Sequence, residues 1–156
     1  MKKPRHAVLL ILLLLTMVAT SSSAIAMNWM TVYTGNNGSG GFDADSLAVD
    51  TSTGKVCTSA IIKFQYSPAG VSAEISRRKK ANESVAGWNN LACKISHANF
   101  LLSPKQCRIA SITYYDTSGK VLEQVDLKSS YHNIAPDSYE DELHRGIFIF
   151  LGYAVQ

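Results

Sequence analysis

Residues 105–123 have the sequence KQCRIASITYYDTSGKVLE and predict a strand, a tight turn and a second strand. Residues 109–115 are rich in β-branched and aromatic side chains, which suit the half-buried surface of a sheet. Residues 116–119 form a turn cluster, because Asp can bond its own backbone and Gly can adopt a positive φ. Residues 121–127 return to an extended pattern. We expect this hairpin to form the centre of one antiparallel sheet.

The N-terminal segment, residues 1–26, has the three parts of a secretory signal peptide. Three basic residues lie among its first five, an apolar run follows at 7–18, and an Ala-Ile-Ala tripeptide ends it at 24–26. The run is shorter than the roughly 20 residues that a membrane span needs. We therefore expect export through the Sec pathway to the periplasm, the cell surface or the medium. The mature chain should begin near Met27 and have no membrane span.

The mature chain, residues 27–156, is long enough for one domain with its own core. The whole sequence has 15 basic and 12 acidic residues, and three of the basic ones belong to the predicted signal peptide. The formal charge of the mature chain is therefore about zero. Such a balance does not produce the basic surface that nucleic-acid binding needs, so we predict no nucleic-acid partner.

The mature chain contains three cysteines, Cys57, Cys93 and Cys107. An exported protein meets an oxidising environment, so we expect one disulfide and one remaining thiol. Three pairings are open to the sequence alone. The cysteines and histidines form neither of the CxxC and HxxxH patterns that are typical of zinc sites. We therefore predict neither a metal site nor another cofactor.

Further strands are predicted from segments rich in β-branched and aromatic residues, at 28–34, 41–49, 56–66 and 90–102. In the third of these, apolar and polar residues alternate, which indicates one buried face. Between the first two lies a segment with four glycines, residues 35–41. It lacks the Lys-Ser/Thr pair of a phosphate-binding loop, so we predict a flexible hairpin loop.

Residues 135–142 predict the start of a C-terminal helix. The side chain of Asp137 or Ser138 can accept hydrogen bonds from the free N–H groups of the first turn. Ser138 and Asp141 have the spacing of a capping box. The helix dipole favours negative charge at residues 140–142, so these carboxylates are explained without an acid–base role.

The apolar stripe of this helix consists of Tyr139, Leu143 and Ile147, which recur every four residues and predict packing on the sheet. Gly146 weakens the helix by about 1 kcal/mol relative to Ala. Residues 148–156 are apolar nearly throughout and fit either an extension of the helix or a closing strand. These patterns together predict an α+β fold, with a C-terminal helix packed on an antiparallel β-sheet.

A basic run lies within residues 71–88, the segment with the weakest periodicity. No aromatic residues alternate with these charges, so base stacking is not indicated, and a solvated, mobile linker is the simplest prediction. The functional interpretation is contact with an acidic partner. The candidate binding residues are Arg77, Arg78, Lys79 and Lys80, and their replacement by Ser should change stability little.

Catalytic patterns are not found around the three mature histidines. His97 lies four residues from Cys93, about 13 Å along a strand, which is too far for a Cys–His pair. His132 and His144 are predicted to face solvent. No G-x-S-x-G or other nucleophile signature occurs, so we predict no enzymatic activity.

Several short motifs follow one another in a characteristic order. They are Trp29 with Val32, residues 42–47, the strand around Ile62, residues 107–116 with 119–121, and residues 134–138. In order and spacing these motifs resemble the surface-adhesin protein E-like family of small exported bacterial proteins, over most of residues 28–150. The resemblance implies an antiparallel sheet with a docked C-terminal helix and an envelope location. For the name-giving member it implies adhesion to host matrix and plasma proteins.

Two departures from the family concern cysteine. Family members often have a Cys where this chain has Ser103 and another near the end of the last helix, where this chain has none. The family often pairs these two cysteines in a disulfide that joins the sheet to the helix. The resemblance therefore implies that a disulfide within the sheet, such as Cys57 to Cys93, takes its place here. The name-giving adhesin is also lipid-anchored, and no Cys follows the apolar run here.

We therefore expect residues 27–156 to form one surface-adhesin E-like domain, a non-enzymatic envelope module that binds a macromolecular partner. A host matrix or plasma protein is one such partner. The alternatives are a soluble periplasmic accessory protein for envelope assembly or secretion, and a small enzyme or enzyme inhibitor.

Overall fold

The computed structural model describes residues 27–155 and has an antiparallel sheet with two α-helices. The strands are β1 (Trp29–Gly35), β2 (Gly38–Asp43), β3 (Ala48–Asp50), β4 (Cys57–Tyr66), β5 (Leu91–Leu101), β6 (Gln106–Asp116), β7 (Val121–Asp126) and β8 (His132–Asn133). The helices are α1 (Pro68–Lys80) and α2 (Tyr139–Phe150). The predicted α+β class is confirmed. The predicted signal peptide lies outside the described residues, and no helix within them is long and apolar enough to cross a membrane.

The strand order is β1-β2-β4-β5-β6-β7, with β3 beside β4 and β8 beside β6. The predicted hairpin is present as β6 and β7, but its predicted place at the centre is wrong. The centre is formed by β4 and β5, which have 10 and 11 residues and pair along most of their lengths. In contrast, β7 has six residues and, within residues 27–155, pairs only with β6. Its charged residues Glu123 and Asp126 suit an edge strand.

Both helices pack on the same face of the sheet, which we call the helix face. Directly opposed residues of neighbouring strands share a face, and Phe64, Lys94 and Tyr114 form one such row on the helix face. The core between α2 and the sheet includes Leu143 and Ile147 from the helix. From the sheet it includes Phe42, Ala60, Ile62, Ala98, Phe100 and Cys107. A second core beneath α1 contains Trp88, Leu91 and Tyr114, with Tyr66, Val71 and Ile75 against it.

The prediction of a mobile linker at residues 71–88 is wrong, because α1 occupies most of this segment. Ser67 caps the helix, since its Oγ accepts a hydrogen bond from the Gly70 N–H at 3.1 Å. Pro68 fits the first turn, where a missing N–H costs nothing. Val71 and Ile75, four residues apart, then pack on the second core. A short apolar stripe and a good cap therefore suffice for a helix.

The glycine-rich segment 35–41 is mostly strand rather than loop, because β2 begins at Gly38. A Cβ atom on Gly40 would lie 2.4 Å from the Tyr139 ring, and one on Gly41 would lie 1.9 Å from the Met30 carbonyl oxygen. These glycines therefore allow the close approach of α2 and β1.

The predicted N-terminus and stripe of α2 are confirmed. Ser138 is the N-cap, and its Oγ accepts from the Asp141 N–H at 3.1 Å. The Asp141 carboxylate in turn accepts from the Asp137 N–H at 3.0 Å. Leu143 and Ile147 are fully buried. Local capping signals therefore position this helix as the sequence predicts.

Residues 148–156 were predicted either to extend the helix or to form a closing strand. The structure, which describes this segment up to Val155, shows the helix extension. The helix continues through Phe150, and Gly152 follows with φ of +82°. The Gly152 N–H donates to the Ile149 carbonyl at 2.9 Å, and the Tyr153 N–H donates to the Phe148 carbonyl at 2.8 Å. This pattern is a Schellman motif, which ends the helix at a glycine.

Gly146 provides a test of how closely α2 approaches β1. A Cβ atom at this position would lie 2.6 Å from Cγ1 of Val32. We expect Gly146→Ala to lower the free energy of unfolding by about 1–3 kcal/mol through overpacking, although helix propensity alone favours Ala. Urea denaturation measures the change. Ser76→Ala, at an exposed position of α1, is the control, and a gain in stability for Gly146→Ala would refute the close approach.

Candidate functional site

The basic run predicted to bind a partner, residues 77–80, forms the last turn of α1. One of its members is structural. Arg78 is buried, with 4% of its surface exposed, and its Nη1 lies 2.7 Å from Oε2 of Glu123 on β7. Its Nε donates to the Ser84 carbonyl at 3.0 Å, and its guanidinium lies 3.6 Å from the centre of the Trp88 ring. Arg78 therefore joins helix, loop and sheet, and is not available to a partner.

The other three residues of the run differ among themselves. Arg77 is ion-paired with Glu74 at 2.8 Å and with Glu83 at 3.1 Å. Lys79 and Lys80 are exposed and have no carboxylate within 4 Å among the described residues. The prediction that this run is solvated is therefore wrong for Arg78. Among the described residues, Lys79 and Lys80 are the members of the run without an ion pair.

The predicted disulfide is wrong, and all three thiols are free. Cys57 is opposite Leu101 at one end of the β4–β5 ladder, whereas Cys93 is opposite Gln65 at the other end, about 27 Å away. Cys107 lies on β6, two strands from Cys57 and on the opposite face, and about 23 Å along the sheet from Cys93. A disulfide requires Cα atoms within about 7 Å, so none of the three pairings fits.

The histidines occupy three different environments. His97 is exposed, opposite Ile61 on the face that bears no described helix. The prediction that His144 faces solvent is wrong, because it belongs to the buried side of α2 and is 3% exposed. Its Nε2–H donates to the Leu101 carbonyl at 3.0 Å, and its ring centre lies 4.7 Å from that of Phe148. Burial lowers the pKa of His144.

A groove of about 440 Å³ lies on the helix face between α1 and the start of α2. We call it the aromatic groove, and its principal residues are Tyr33, Phe64, Tyr66, Lys94 and Tyr139. The Phe64 ring is central, with its centre 5.0 Å from that of Tyr66 and 5.2 Å from that of Tyr139. The Tyr139 hydroxyl donates to the Lys63 carbonyl at 3.0 Å, which fixes this wall of the groove.

Lys94 is the cationic residue of the groove floor. Its Nζ lies 5.8 Å from the centre of the Phe64 ring, and no carboxylate lies within 4 Å of it among the described residues. Burial lowers the pKa of Lys94, and the nearby charges of Glu74 and Glu140 oppose this shift only in part. A half-buried ammonium without a partner costs free energy, and an anionic ligand would offset that cost. The sequence analysis missed this site. The one signal for it was Lys94 itself, a charged residue at a strand position that turns toward the helix face.

A second group of side chains lies nearby, where β6, β8 and α2 meet. Cys107 and His132 are direct partners in the β6–β8 ladder, and Cys107 Sγ lies 3.2 Å from His132 Nε2. The same Nε2 lies 3.4 Å from Glu140 Oε2. A nucleophile–base–carboxylate relay needs both ring nitrogens of the histidine, so this geometry is not such a relay. Burial and the Glu140 charge also raise the pKa of Cys107 to about 12, opposite to the activation of a nucleophile.

No protein-family model, curated protein or solved structure matches the chain. The resemblance to the surface-adhesin protein E-like family therefore stays a prediction.

Arg78 is expected to stabilise the fold, in contrast to its neighbours in the run. We expect Arg78→Met to lower the free energy of unfolding by about 2–3 kcal/mol, because Glu123 and Trp88 lose their partner. The loss is smaller than for a fully buried pair, since the Glu123 side chain is 35% exposed. Lys79→Met is the matched control, with an expected change below about 0.5 kcal/mol. Equal effects in urea denaturation would contradict the structural role.

His144 predicts a dependence of stability on pH. Its pKa in the folded state is lowered from an ordinary value of 6.5, so the unfolded chain takes up a proton first as the pH falls. Its contribution to stability is therefore complete above about pH 6.5 and decreases below it. We expect His144→Phe to reduce the loss of melting temperature between about pH 7.5 and 5. His97→Gln, at an exposed site, should keep the wild-type loss, and an unchanged loss in His144→Phe would contradict the assignment.

Proposed function

We propose that the protein is a non-enzymatic exported module that binds a protein partner, and that the partner places an acidic group on Lys94 in the aromatic groove. The observation that carries this proposal is the half-buried ammonium on an aromatic floor, with no carboxylate within 4 Å in the described part of the chain. Concave sites with apolar walls and one oriented charge are typical of ligand binding. Perturbed titratable groups in clefts are typical of functional sites.

The chemistry of the groove indicates what the partner presents. Four aromatic side chains provide apolar surface, which suits the apolar residues of an extended segment. On the α1 wall Arg77 and Glu74 neutralise each other, so Lys94 provides the net charge. An Asp or Glu side chain flanked by apolar residues complements both features. Arg77–Lys80, the run predicted from sequence, borders the groove through Arg77 only.

Export is supported by the predicted signal peptide and by the family resemblance. A surface adhesin for host proteins and a periplasmic accessory protein are both consistent with this groove. Protease treatment of intact cells distinguishes them. Digestion before lysis supports the adhesin, and protection until lysis supports the accessory protein.

Photo-cross-linking in cells that express the native protein tests the groove. Benzoylphenylalanine replaces Ala73, which lines the groove on α1, or Lys80, which lies on the same helix outside it. We expect a protein adduct from position 73 and at least about tenfold less from position 80. Adding Lys94→Met should remove the adduct at position 73, because the ammonium that binds the acidic group is lost.

Two controls give this experiment a clear outcome. Lys79→Met removes an exposed charge from α1 and should leave the adduct at position 73 unchanged. Circular dichroism shows whether the Lys94→Met chain is folded, and we expect that it is, since a half-buried charge without a carboxylate partner among the described residues has been removed. Equal adducts at both positions, or an adduct that persists in Lys94→Met, would refute the proposal. An adduct only with a second copy of this chain would replace the partner with self-association.

A further inference from the structure

We infer that Cys107, His132 and Glu140 bind a divalent cation of the zinc class at the junction of β6, β8 and α2. The three side chains come from separate elements, and one ligand atom of each lies within 4.8 Å of the other two. Thiolate, imidazole and carboxylate are the ligand types that Zn²⁺ takes in proteins. The inference goes beyond the proposed function and does not depend on the aromatic groove.

Two of the three distances fit the edges of a coordination tetrahedron, and the third, between Cys107 and Glu140, is within 4.8 Å. Zn–N and Zn–O bonds of about 2.0–2.2 Å at a tetrahedral angle place the two ligand atoms about 3.4 Å apart. The separation between His132 Nε2 and Glu140 Oε2 is 3.4 Å. With a Zn–S bond of about 2.3 Å the sulfur–nitrogen edge is about 3.5 Å. The distance from Cys107 Sγ to the same Nε2 is 3.2 Å, within a few tenths of an ångström of this edge.

Hydrogen bonding alone accounts for the cluster less well. When the Nε2–H of His132 and the thiol of Cys107 both donate to the Glu140 carboxylate, the 3.2 Å contact between Cys107 Sγ and His132 Nε2 is left between two donors. A cation coordinated by the three atoms satisfies all of them at once. The arrangement is also anchored, because Cys107 and His132 are cross-strand partners and Glu140 lies in the first turn of α2.

The burial of the three ligands leaves one side of the site open. Cys107 is fully buried, whereas the side chains of His132 and Glu140 are 48% and 34% exposed. A cation can therefore enter from solvent, and three protein ligands leave a fourth position for water or another donor.

Titration of the full mature chain with Zn²⁺ alone, under reducing conditions, tests the site. We expect one Zn²⁺ per chain by native mass spectrometry and a higher melting temperature with the metal, since a cation that binds only the folded state stabilises it. Glu140→Gln and His132→Gln should each weaken binding more than about tenfold in calorimetry. With Co²⁺, a thiolate-to-metal absorption band should appear and should be absent in Cys107→Ser.

Matched variants exclude binding elsewhere. Glu142→Gln changes a carboxylate in the same helical turn, and His97→Gln changes an exposed imidazole on the other face; both should keep wild-type affinity. Because Cys107 is buried, Cys107→Ser could fail to fold, and the two partly exposed ligands then decide the outcome. No zinc binding by the wild-type chain, or equal losses in Glu142→Gln and Glu140→Gln, would overturn the site.

Discussion

The alternation of side chains along β4 and β5 is the constraint on which the rest of the structure depends. It places Ile62 and Phe100 on the helix face, and a shift of one residue would turn every apolar side chain of a strand to the other face. Both helices must bury their stripes on this face, so they lie side by side with a gap between them. A small cavity of about 140 Å³ is lined by Lys94, which belongs to the aromatic groove, and by Glu140, which belongs to the Cys107–His132–Glu140 cluster.

The second core shows how a charged side chain can hold a helix in place. The apolar stripe of α1 is short, and Arg78 adds a large flat group that stacks on Trp88 and an ion pair that crosses to β7. The stem of an arginine covers apolar surface while its guanidinium keeps five hydrogen-bond donors. Of the four basic residues at 77–80, Arg78 therefore points into the protein, whereas the other three are exposed to solvent.

Local signals made part of this fold predictable from sequence. The cap at Ser138, the stripe through Leu143 and Ile147, and the turn between β6 and β7 each depend on neighbouring residues. The prediction of a linker at residues 71–88 was wrong because the basic run was given more weight than the short apolar stripe of α1. The role of Arg78 could not be predicted because its partner Glu123 is 45 residues away. The cluster was invisible for the same reason: Cys107 and His132 are 25 residues apart and belong to no short motif.

The separation of the three thiols has a consequence for how the chain tolerates oxidation. Since no two of them can bond within one molecule, the folded state has no disulfide to gain or lose, and folding does not require a thiol oxidase. The chain can reach the same structure in a reducing or an oxidising compartment. A disulfide then forms only between molecules, and partly exposed Cys93 is more open to oxidation than fully buried Cys107.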